Sequence, residues 1–201
     1  MSISLLLTVA VAGAHAAPER FTIEAQYRGM VTKSFPRIGS ATMDAVETAP
    51  GVMRLTASGQ ATHPQDAAVK YRTAVDLSVK VGPGTLATLK SSDNTAPGSE
   101  AFARQIKQVM PILAAVRAQP ALTSCAAATI QTSEGPVAIA THRTGSSVEV
   151  TAQRGQVFVG KFFLNAVANG LQLMRFRVPS PMPNVMLTFQ VEGAPTDSSV
   201  D

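Results

Sequence analysis

Apolar and polar residues alternate with a period of two along most of this chain, and a helical spacing interrupts them once near the middle. The segment "RFTIEAQYRG" sets Phe21, Ile23, Ala25 and Tyr27 against Thr22, Glu24, Gln26 and Arg28, the pattern of a half-buried strand. "GSATMDAVET" and "GVMRLTASGQAT" follow, parted by the turn residues Ala49-Pro50-Gly51. "AVKYRTAVDLSVKVG" then places Val69, Tyr71, Thr73, Val75, Leu77, Val79 and Val81 on one side. Lys70, Arg72, Asp76 and Lys80 lie on the other. So long a strand implies a twisted sheet with one wet face. Gly82-Pro83-Gly84 turns the chain into "TLATLKSSD".

The period then changes. Residues 94–98 read as a loop, and Ser99 is placed to cap a helix through its hydroxyl. Phe102, Ile106, Val109, Leu113 and Val116 recur at alternating spacings of four and three, predicting an amphipathic helix over about 99–117. Pro111 lies within it and must free the carbonyl of Lys107, so a kink or break is expected there. Strands resume with "CAAATIQTS", "PVAIATHRT", "SVEVTAQRG" and "QVFVGKFFLNAV", separated by turn signals of which Asn169-Gly170 is a favoured tight-hairpin pair.

The closing "GLQLMRFRVPSPMPNVMLTFQV" carries two apolar stripes, Met174–Phe176–Val178 and Val185–Leu187–Phe189–Val191. Arg175 and Arg177 oppose the first stripe, and Pro179, Pro181 and Pro183 make a stiff, donor-poor corner. Together the segments predict a mainly β chain. Its expected form is a curved antiparallel sheet or half-barrel of about nine to ten strands with one inserted amphipathic helix. Residues 17–193 form a single β-rich domain on this reading, and 194–201 a flexible tail.

Composition narrows the setting. The chain has 201 residues, 14 glycines, 13 prolines, no tryptophan and a single cysteine, Cys125, so no intramolecular disulfide can form. The N-terminal "MSISLLLTVAVAGAHAAPER" holds an apolar run too short to span a bilayer, followed by Ala14-His15-Ala16. That is the pattern of a secretory signal peptide over residues 1–16 with cleavage after Ala16, and it predicts a periplasmic or secreted protein. No Lys or Arg precedes the apolar run, so the α-amino group alone would serve as the n-region. A lipoprotein needs a cysteine directly after its signal, and Cys125 is far too deep. Two tyrosines and no tryptophan argue against the aromatic girdles of a transmembrane barrel. The formal charge of +4 is spread along the chain without a basic run. Nucleic-acid binding is not expected, whereas a mild attraction to anionic headgroups or glycans is compatible with the balance.

Catalytic constellations are thin. The mature chain holds two histidines, His63 and His142, and no G-x-S-x-G elbow. Cys125 precedes an apolar strand, where a buried inert thiol is expected. Neither histidine has a ligand spacing, so no metal and no cofactor are predicted. Gly82-Pro83-Gly84 lacks the further glycine of a phosphate loop and reads as a turn. Seven methionines, Met30, Met43, Met53, Met110, Met174, Met182 and Met186, remain. Methionine fills cores and also lines adaptable apolar binding surfaces.

The plan of curved sheet and inserted helix resembles the lipoprotein-carrier type of periplasmic half-barrel, in which a sheet capped by helices holds acyl chains. "YRGMVTKSFPRIGSATM" looks like the first hairpin, and "NGLQLMRFRVPSPMPNVMLTF" like the last, of an uncharacterised family of exported bacterial β-rich proteins. The architecture, the missing catalytic set and this resemblance together predict a soluble binding or chaperone-like protein that takes a lipid, an acyl chain or a lipidated partner. Phe102, Ile106 and Leu113 would cover its apolar cavity, and Met174, Phe176, Leu187 and Phe189 would help to line it. Two alternatives stand beside this: an envelope structural or interaction module with a fully packed sheet, and a hydrolase with a dispersed site. A dry cavity of about 300 Å³ or more between helix and sheet separates the first reading from the second.

Overall fold

Each of the alternating segments forms one strand, so the sheet has eleven strands among the described residues. The structure is a computed structural model and describes residues 17–27, 36–63, 65–168, 170–181 and 184–194. The expected signal peptide, most of the tail, Met30, Met182 and the Asn169 half of the Asn169-Gly170 turn lie outside the described residues. In chain order come β1 (Glu19–Tyr27), β2 (Arg37–Ala49), β3 (Val52–His63), β4 (Asp66–Gly82) and β5 (Thr85–Thr95). The helices α1 (Glu100–Ala118) and α2 (Ala121–Ser124) follow. Then come β6 (Ala127–Thr132), β7 (Gly135–Thr144), β8 (Ser147–Arg154), β9 (Val157–Val167), β10 (Gly170–Pro179) and β11 (Val185–Val191).

Sequential strands are neighbours, and β1 pairs with both β2 and β11, so the curved sheet closes into a ring rather than stopping as a half-barrel. Eleven is an odd number, and an all-antiparallel ring returns to its starting direction only after an even number of reversals. One parallel pair resolves the parity. It is β5 with β6, matched only at Thr85↔Gln131 and Leu86↔Thr132, and α1 supplies the crossover that parallel neighbours need. This seam is the thinnest junction of the ring. Gly84 reinforces it: its N–H donates to Gln119 Oε1 at 3.0 Å, and its carbonyl accepts the Gln131 N–H at 2.8 Å. The Gly82-Pro83-Gly84 segment is therefore a turn, with Gly84 at a φ of 61° that favours glycine.

Inward faces follow the alternation. Phe21, Ile23 and Ala25 of β1 are fully buried, as are or nearly are Val75, Leu77 and Val79 of β4. Helix α1 departs from the expected surface stripe. Val109 to Val116 are all buried without interruption, which is the signature of a helix inside a core rather than on it. It touches β3, β4 and β5 on one side and β9 and β10 on the other. The helix fills the ring.

Local expectations for this helix need two corrections. Of the kink or break expected at Pro111, the break is absent, since the helix runs from Glu100 to Ala118 without interruption. Ser99 occupies the N-cap position, yet its hydroxyl makes no cap bond. It accepts the backbone N–H of Arg72 on β4 at 3.1 Å instead. The buried hydroxyl ties the start of the helix to the sheet, a demand that local sequence does not reveal.

Candidate functional site

The residues expected to form an apolar site divide into three places. Phe102 stacks on Tyr71 of β4, with ring centroids 5.7 Å apart and planes 12° from parallel, and Ile106 is buried one turn further on. Phe176 and Phe189 stack at 4.5 Å on paired positions of β10 and β11. Phe21 closes over them edge-on, 5.6 Å from Phe176 and 6.5 Å from Phe189. Leu187 is 1% exposed on the same inner face. These rings pack against one another as an aromatic cluster.

Met174 is displaced from its predicted stripe. The β9–β10 register slips between Leu173 and Arg175, so Leu173 points inward with Phe176 and Val178, and Met174 is the extra residue of a bulge. Alternation alone cannot foresee a bulge, because one inserted residue changes the face of everything before it.

Leu113 belongs to the third place. A groove of about 260 Å³ opens between the second half of α1 and strands β2 and β3. Met43, Met53, Leu55, Met110, Leu113 and Ala114 line it. At its mouth Arg117 Nη1 donates to Glu19 Oε2 at 3.0 Å, and Asp44 stands beside them. Period-two alternation turns Met43 and Leu55 inward, and helical spacing brings Met110, Leu113 and Arg117 to the facing side. The volume falls short of the 300 Å³ expected of a general ligand cavity, and the groove is half open to solvent. Methionine gives it adaptable walls. The three methionines stand out by type in the sequence, but they come from three elements and only tertiary packing brings them together.

Candidates for chemistry stand apart from this groove. His63 ends β3, and its Nδ1 accepts the Gln65 N–H at 3.2 Å. His142 lies in β7 with its Nε2 3.3 Å from Thr144 Oγ1. Cys125 is exposed, not the buried thiol expected, because the short α2 ends at Ser124 and the strand begins only at Ala127. The β6–β7 register, with Thr141 N–H bonded to the Ala126 carbonyl, runs Cys125 towards His142. His142 in turn pairs in register with Glu149, whose carboxylate bridges to Lys161. Among the described residues no group of three His, Cys, Asp or Glu side chains is placed to hold a metal, and no helix is long and apolar enough to cross a membrane.

Charged pairs tie the helix and the sheet surface. Lys107 on α1 bonds Asp93 on β5, and Arg54 bonds Asp76 through both carboxylate oxygens, at 3.1 and 2.6 Å. The hydrogen bond from Lys107, and then that from Thr95, holds the Asp93 carboxyl below the ordinary aspartate range. The Arg54 hydrogen bond does the same for Asp76.

No protein-family model matches the chain, and no curated protein matches it either. Among solved structures it is similar to a DUF1329 family protein from Desulfovibrio piger. That likeness has 10% identity and a TM-score of 0.33 over 92% of this chain and 86% of the other. The comparisons do not show the lipoprotein-carrier resemblance.

Proposed function

We propose that this chain is an exported binding protein that takes one apolar chain segment, such as the end of an acyl chain, in the methionine-lined groove. The observation that carries the reading is the convergence of Met43, Met53 and Met110 with Leu55 and Leu113 at one half-open mouth. A pocket of about 150 Å³ lined by apolar side chains already accommodates a benzene-sized guest, so this groove suits a single slender moiety. The helix-filled ring leaves its interior to side chains, so the ligand sits at the rim of the core rather than in its centre. The signal pattern supports export, and the groove lining holds neither Cys125 nor either histidine.

A second reading has two observations in its favour, the first being that the groove, at about 260 Å³, falls short of the roughly 300 Å³ that separates the readings. The second is the continuous burial of α1 through Val116, which suits an envelope interaction module whose core is complete without a ligand. Titration with the fluorescent apolar probe N-phenylnaphthylamine separates the two. On the binding reading the probe saturates at one site, long-chain fatty acid displaces it, and Met53→Glu abolishes the signal. Absence of saturable binding, or binding indifferent to Met53→Glu, favours the packed module.

A further inference from the structure

The ring closes at β5 through only two residue pairs, Thr85↔Gln131 and Leu86↔Thr132, whereas β5 runs on to Thr95. On its other side the strand pairs with β4 along its whole length. Every residue from Ala87 to Asn94 is exposed. An antiparallel ladder bonds alternate residues to one neighbour and turns the rest away from it. Ala96 donates its N–H to the Arg72 carbonyl of β4 at 3.0 Å, so Asn94, Ser92 and Lys90 turn their backbone groups to β4. Ser91, Asp93 and Thr95 turn theirs outwards. Those outward N–H and C=O groups meet no partner among the described residues. The second half of β5 is a free strand edge.

Helix α1 lies along the same edge. Lys107 is bonded to Asp93, and Arg104, one turn earlier, is exposed and forms no ion pair among the described residues. Lys90 on β5 is likewise exposed and without an ion pair among them. Free edges invite strand pairing, and lysines and bulges are devices that limit it. β5 has both: Lys90, and Leu89 as the extra residue where the β4–β5 register shifts. They turn away a second copy of this edge, which would bring its own Lys90 and Arg104 to the same place, because like charges meeting across strands destabilise the pair. A strand of opposite charge meets no such penalty. We propose that the edge from Lys90 to Thr95 takes an extended acidic segment of a partner protein as an added strand. Its backbone would bond to Ser91, Asp93 and Thr95, with acidic side chains beside Lys90 on the outer face and Arg104 on the helix side. No β5 residue lines the methionine groove, so binding at the edge and binding in the groove are independent.

Fluorescence anisotropy of a short labelled peptide alternating valine and glutamate, titrated with the purified chain, provides the test. The peptide should bind saturably, and its valine–lysine counterpart should not. Ser91→Pro removes an outward N–H without touching the β4 ladder, a place where edge strands tolerate proline, and should weaken binding about tenfold. Ser91→Ala keeps that N–H and should bind as the wild type does. Arg104→Gln should weaken binding about threefold, and Met53→Glu in the groove should leave it unchanged. Thermal midpoints equal to that of the wild type show that Ser91→Pro and Arg104→Gln are folded. Amide hydrogen exchange of the wild type gives a readout that needs no variant. Ser91, Asp93 and Thr95 should exchange quickly in the free chain and slowly once the peptide is bound. No saturable binding, undiminished binding to Ser91→Pro, equal binding of the lysine peptide, or a dimer of the chain that Ser91→Pro dissociates would overturn the proposal.

Discussion

Arg117 and Glu19 are joined by a hydrogen bond of 3.0 Å between residues 98 positions apart in the chain. The bond links the last turn of α1 to the first residue of β1 across the mouth of the methionine groove. About a third of each side chain is exposed, so solvent screens the pair and its share of stability is small, under about 1 kcal/mol. Its effect on the groove should be larger. Glu19→Gln is expected to leave the thermal midpoint within a few degrees and to quicken release of a bound apolar probe, measured by stopped-flow fluorescence. Unchanged release would remove the pair from any gating role.

The aromatic cluster should dominate stability. Phe176→Ala empties a fully buried site against Phe21, Phe162 and Phe189 and is expected to cost roughly 3–5 kcal/mol in urea unfolding. Met174→Ala, at the half-buried bulge two residues earlier, should cost about 1 kcal/mol or less. A Met174→Ala cost of about 2 kcal/mol or more, that of a core methionine, would mean that the stripe follows simple alternation after all and that the bulge is absent.

Acid should loosen the helix from β5. In the folded chain Lys107, and then Thr95, hold the Asp93 carboxyl below its ordinary value of 3.8. A carboxyl depressed on folding stabilises the fold above its unfolded value, and that contribution disappears as pH falls through the folded one. The difference in thermal midpoint between the wild type and Asp93→Asn should therefore be present at neutral pH. It should close as the pH is lowered from 3.8 downwards. A difference that persisted at the lowest pH would assign the effect of Asn to packing instead.

The thiol of Cys125 is exposed at the end of α2. Stoichiometric reaction with Ellman's reagent is expected in the native state, at a rate that denaturant does not raise by orders of magnitude. A thiol silent until unfolding would restore the buried residue that the neighbouring "AAAT" suggests.

Much of this architecture is legible in the sequence, for a physical reason. Period two is written by burial itself, so the inward stripes Phe21–Ile23–Ala25 and Val75–Leu77–Val79 can be read from the order of residues alone. The spacing of Phe102, Ile106 and Leu113 likewise foretells α1. Three things are not legible. The bulge at Met174 depends on how β10 matches β9, a relation between strands and not within one. The closure of the ring depends on β1 accepting both neighbours. The place of α1 inside the ring is hinted only by the unbroken apolar run from Val109 to Val116, which reads as one wide stripe until a sheet surrounds it. The groove shows the same limit, since Leu113 is expected at a cavity from its spacing while Met43, Met53 and Met110 meet it only through tertiary packing.

Native mass spectrometry of the purified chain tests the central claim most directly. The account predicts an additional lipid-sized mass, at one copy per chain, in spectra recorded under native conditions. It should vanish on denaturation and be missing from Met53→Glu. An unmodified mass under both conditions, for protein isolated from a lipid-rich envelope, would contradict it.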